Sequence, residues 1–67
     1  MKILYTKKQA DEIIETLKGM KEYGVNMDYI NTVKEIVKHG YKGAKIYFYN
    51  RLYQEVPEMA KYFKEGD

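Results

Sequence analysis

Residues 44 to 56, AKIYFYNRLYQEV, decide the fold, because they read in two ways. Ile46, Tyr47, Phe48 and Tyr49 are strand formers by propensity, and pairing with the N-terminal MKILYT would give two strands beside two helices. That alternative is an α+β fold with strands at 1–6 and 44–50. Against it, Ala44, Phe48, Leu52 and Val56 are spaced by four and so line one side of an α-helix. Pro57 must then end or kink that helix. The four-residue period carries the assignment: an all-α fold, a small domain of three to four helices in which 44–56 is helix 3.

The segments upstream support this reading. Thr6 and Gln9 have capping-box spacing, and Ala10, Ile13, Ile14, Leu17 and Met20 recur at helical intervals, predicting helix 1 from about Lys7 to Tyr23. Gly19 weakens that helix by up to about 1 kcal/mol, and Gly24 stands where a left-handed terminal residue is wanted. Asn26 is a good N-cap with Asp28 in the first turn after it, and Met27, Ile30, Val33, Ile36 and Val37 trace one stripe. Helix 2 is therefore predicted from about Met27 to His39, with Gly40 ending it. Downstream, Pro57 suits the first position of a short helix 4 that carries Met59, Ala60 and Phe63 to about Lys64 and closes at Gly66.

Length and composition set the bounds. Sixty-seven residues make one helical domain over 1–67, and a chain this short buries only roughly 60% of its unfolded surface. Hydrophobic residues at 45% against 33% charged are a folding composition. With no cysteine there is neither disulfide nor zinc thiolate, so a cytoplasmic setting is expected and oligomerisation is the remaining way to add stability. The apolar run of the N-terminus is far shorter than the roughly 7–15 residues of a signal peptide, and nothing approaches the ~20 apolar residues of a membrane span. Neither secretion nor membrane insertion is expected. Eleven lysines against one arginine, with many Ile, Tyr and Asn, point to AT-rich codons and hence to a low-GC bacterium or its phage.

Enzymatic residues are scarce. There is no cysteine or serine, and the single histidine, His39, is read as a cation at a helix end, so the common catalytic triads are excluded. The pairs Glu12 with Glu15 and Glu55 with Glu58 have the spacing of metal-binding carboxylates, but Pro57 interrupts the second pair and no Glu-x-x-His accompanies them. They are read as solvated helix faces. No enzyme activity, cofactor or metal is expected.

Binding residues are better represented. Tyr41, Tyr47, Phe48, Tyr49 and Tyr53, half of the aromatic residues, crowd into segment 41–53. Four consecutive large residues at 46–49 point to all sides of a helix that turns 100° per residue, so some must reach the surface. Tyr41, Lys45, Tyr49 and Tyr53 share one i, i+4 row, with Arg51 reachable from Tyr47 on the adjoining face. Segment 41–56 also carries charge +2, from Lys42, Lys45 and Arg51 against Glu55, in a chain whose net charge is only +2. Tyrosine and arginine are favoured at the centres of protein interfaces. The expected function is that of a small non-enzymatic regulator or inhibitor of bacterial or phage origin, homo-oligomeric, engaging an unidentified protein through Tyr41, Lys42, Lys45, Tyr49, Arg51 and Tyr53. Tyr49, with no apolar row of its own, is expected to serve the interface more than the fold.

The alternative partner is a nucleic acid or nucleotide. In Gly40-Tyr41-Lys42-Gly43, backbone N–H groups at the start of helix 3 would face a phosphate, with Lys42 and Lys45 beside it and Tyr41 or Tyr49 stacking on a base. This link resembles the GxxG loop of KH domains, with Ile46 where such loops carry an apolar anchor, and it is also similar to a shortened helix-hairpin-helix. Each likeness covers about ten residues, and no segment supplies the sheet of a KH domain.

Overall fold

The computed structural model describes residues 6–63. Three α-helices, α1 (Lys7–Tyr23), α2 (Met27–Lys38) and α3 (Lys42–Glu55), are followed by a 3₁₀ helix at Pro57–Phe63. The protein is a small all-helical domain, and the strand alternative fails at its decisive segment. Alternation along 44–50 would place Ile46, Phe48 and Asn50 on one side, whereas Phe48 is fully buried while Ile46 is 52% exposed and Asn50 lies at the surface. The four-residue set Ala44, Phe48, Leu52 and Val56 is the one that faces the core. Of the other proposed strand, residues 1–5 lie outside the described residues, and Thr6 is the N-cap of α1.

Local chemistry sets the helix ends. The Thr6 hydroxyl accepts a hydrogen bond from the Gln9 N–H at 3.2 Å, and the Asn26 side-chain Oδ1 accepts one from the Tyr29 N–H at 3.1 Å, so each cap satisfies a donor that the helix leaves open. Gly24 closes α1 at φ 121° and ψ 142°, with its N–H bonded to the Met20 carbonyl. This is the conformation for which a glycine is needed. Gly40 lacks a positive φ; His39 occupies the C-cap of α2 and the Gly40 N–H bonds to the Val37 carbonyl.

One helix start and the winding of the last helix differ from expectation. Helix 3 begins at Lys42 rather than Ala44, so the link from α2 shortens to residues 39–41 and Gly43 lies within the first helical turn. The last helix is 3₁₀, with the Met59 N–H bonded to the Val56 carbonyl at 2.9 Å. Met59 and Phe63 of this element are both buried in the core. The Lys64 and Gly66 end expected for this element lies outside the described residues.

Helix 3 is the central element and touches each of the other three. It contributes Ala44, Phe48 and Leu52 to a core completed by Ala10, Ile14 and Leu17 of α1, by Ile30, Val33 and Val37 of α2, and by Val56, Met59 and Phe63. Phe48 and Phe63 meet edge to face, with ring centroids 5.6 Å apart. The α2 stripe loses one expected member, Met27, which is 48% exposed. No helix among the described residues is long and apolar enough to cross a membrane.

Candidate interaction face on helix 3

Because α3 turns about 100° per residue, its non-core side chains divide into two faces. On the first, Tyr47, Arg51 and Glu55 meet α1. The Tyr47 hydroxyl donates to Asp11 Oδ1 at 2.8 Å and accepts from Arg51 Nη1 at 3.2 Å. Arg51 also pairs with Asp11 and Glu55, and Lys7 Nζ lies 5.6 Å from the centroid of the Tyr47 ring. Lys18 completes the seam by pairing with Glu55 at 2.7 Å and with Glu15 at 3.2 Å.

Charge on this seam is tightly partnered. The hydrogen bond from Lys18, then that from Arg51, holds the Glu55 carboxyl below the usual carboxylate range. Reciprocally, Glu55 and then Glu15 raise the Lys18 ammonium above its usual value. The bond to Tyr47, followed by the pairing with Glu55 and Asp11, raises the Arg51 guanidinium. Glu15, Glu55 and Glu58, from the two Glu-x-x-Glu pairs, are thus engaged with lysines, Glu58 lying 3.6 Å from Lys21. Arg51 Nε is buried without a hydrogen-bond partner, a polar cost of docking this side chain between helices.

The second face looks outward. Lys42, Lys45, Ile46, Tyr49, Asn50 and Tyr53 line a groove of about 360 Å³ that contains no carboxylate. Tyr53 is 56% exposed and stacks on Tyr49 with centroids 6.3 Å apart and planes 27° from parallel. Tyr49 is half-buried: its ring packs roughly perpendicular to that of Phe48, and its hydroxyl donates to the Phe63 carbonyl at 2.8 Å. It therefore serves the core and the groove wall together, a larger share in the fold than the sequence suggested. Neither Lys42 nor Lys45 has an ion-pair partner among the described residues.

Of the residues singled out in the sequence, the structure brings together Lys42, Lys45, Tyr49 and Tyr53 in this groove. Arg51 is not among them, since its guanidinium is turned to α1 by Asp11 and Glu55. Tyr41 is the N-cap of α3 without a side-chain capping bond, and its ring leans over Gly43 so closely that a Cβ there would lie 3.0 Å from Tyr41 Cε2. Gly40 sits in the link between α2 and α3. Ile46 and Asn50 were missed as site residues. Their signal was the second i, i+4 row, Lys42-Ile46-Asn50, which adjoins the Lys45-Tyr49-Tyr53 row on the helix surface.

Comparison of this chain with protein-family models, with curated proteins and with solved structures found no match.

Proposed function

We propose that this is a non-enzymatic binding protein that engages another protein through the outer face of α3. The observation that supports this most directly is the groove itself. Ile46, Tyr49 and Tyr53 give it an apolar floor, while Lys42 and Lys45 stand on the same face without carboxylates among them. Apolar and tyrosine side chains surrounded by polar ones are what protein interfaces use, and a tyrosine held rigidly by stacking loses little entropy on contact. A regulator or inhibitor that acts by occupying a partner's surface needs no further chemistry.

The nucleic-acid reading is weaker on the same residues. Two groove lysines neutralise at most about two phosphates, a small electrostatic gain, and one face of the Tyr49 ring is already stacked on Tyr53. The test is a photoreactive phenylalanine analogue at position 53, with position 34 on the exposed side of α2 as control, in cells of the source organism. A defined protein crosslinked from position 53, absent from position 34 and lost on Ile46→Asp, is expected. Equal crosslinking from both positions, or none from position 53, overturns the reading.

A further inference from the structure

We propose that the occupant of the α3 groove is a short acidic amphipathic helix of a partner protein, its carboxylates against Lys42 and Lys45 and its apolar side chains over Ile46, Tyr49 and Tyr53. This rests on the outer face of α3 being the binding face and adds what that face selects. The groove is polarised along its length: Lys42 and Lys45 occupy its N-terminal end, and Tyr49 and Tyr53 its C-terminal end. The amino end of the α3 dipole adds positive potential at the lysine end. The third cation of the helix, Arg51, is consumed by Asp11 and Glu55 on the opposite face, so the two groove lysines carry the charge that a partner meets. A partner that leaves this end without carboxylates would desolvate two ammonium groups for nothing.

Length fits a helix. From Lys42 to Tyr53 α3 advances about 16 Å at ~1.5 Å per residue, the span of about three turns of a partner lying alongside. Charge argues against a second copy of this chain. The one carboxylate of α3, Glu55, is engaged with Lys18 and Arg51, so a copy seated face to face offers these lysines no anion from its own groove.

The experiment uses the whole ¹⁵N-labelled protein and two synthetic helix-forming peptides of about 14 residues. One carries glutamates one turn apart at one end and leucines on the same face at the other; its twin has lysines in place of the glutamates. The acidic peptide is expected to shift the amide signals of residues 42–53 and to bind at least about fivefold more tightly than its twin at low salt, an advantage that shrinks as salt is added. The double variant Lys42→Glu/Lys45→Glu, neither residue belonging to the core, should keep its melting temperature and reverse the preference. Equal affinity for the two peptides, or no reversal in the variant, overturns the proposal. If the signals of 42–53 shift instead with protein concentration or with an oligonucleotide, the acidic helix is wrong while the face stands. If no probe shifts them and position 53 yields no crosslink, the binding face falls as well.

Discussion

The Tyr49 hydroxyl donates a 2.8 Å hydrogen bond to the Phe63 carbonyl, fastening the outer side of α3 to the last turn of the 3₁₀ helix. Tyr49→Phe keeps the ring and removes the donor, and should cost about 1 kcal/mol, the usual net worth of such a bond. Tyr49→Ala also empties a half-buried site beside Phe48 and should cost about 2–4 kcal/mol. Urea denaturation measures both. A Tyr49→Ala chain as stable as the parent would mean that the ring contributes nothing to the core.

Two glycines should respond to alanine with opposite signs. At neither Gly19 nor Gly24 would a Cβ meet an atom within 4 Å, so backbone conformation alone decides. Gly24 holds φ 121°, which an L side chain adopts only with strain, and Gly24→Ala should cost about 1–2 kcal/mol. Gly19 lies inside α1, and Gly19→Ala should gain about 0.5–1 kcal/mol by favouring the helix and restricting the unfolded chain. Thermal melting of the two variants beside the parent checks both signs.

Acid should weaken the fold partly through Glu55. Its carboxyl is held below the ordinary value of 4.5, first by the Lys18 bond, so it binds a proton less readily folded than unfolded. The stability it contributes is therefore fully present above pH 4.5 and is lost as pH falls through its lower folded value. Lys18 behaves in the opposite sense: its contribution persists up to 10.5 and disappears only above that, as pH rises through its raised folded value. Glu55→Gln should reduce the loss of stability between neutral pH and pH ~3 relative to the parent. Urea midpoints measured across that range decide it, and superimposable profiles would refute the assignment.

Asp11 and Arg51 should prove energetically coupled. Arg51 pairs with Asp11 across the two helices, and Tyr47 bonds to both. In a double-mutant cycle with Asp11→Asn and Arg51→Met, the paired change should destabilise less than the sum of the single changes, and 1 M salt should shrink the difference. Strict additivity would mean that the Asp11–Arg51 pair contributes nothing, leaving Arg51 to act through Glu55, Tyr47 and its alkyl stem.

The helix pattern was legible because it rests on neighbours in sequence. Thr6 and Asn26 cap within three residues of themselves, and α1 spans Lys7–Tyr23 as its caps and apolar spacing predict. In 44–56 the choice between strand and helix followed from which residues repeat at fours. The 3₁₀ winding of Pro57–Phe63 was not legible, since the i, i+4 spacing of Met59 and Phe63, both buried, is the period of an α-helix. The candidate site was read in part. One row of α3 yielded Lys45, Tyr49 and Tyr53, but Ile46 and Asn50 emerge as groove residues only when the neighbouring row is placed against the rest of the fold.

What the sequence determined alone is the set of helices and the crowding of tyrosine and lysine onto the third, because capping and periodicity are properties of adjacent residues. What the tertiary structure decided is the use of each side chain on that helix. Arg51 and Tyr49 carry the same interface chemistry in sequence, yet Arg51 is drawn to Asp11, forty positions away, and Tyr49 to the Phe63 carbonyl. Both choices depend on where α1 and the 3₁₀ helix come to rest, and packing of the shared core around Phe48 sets those positions.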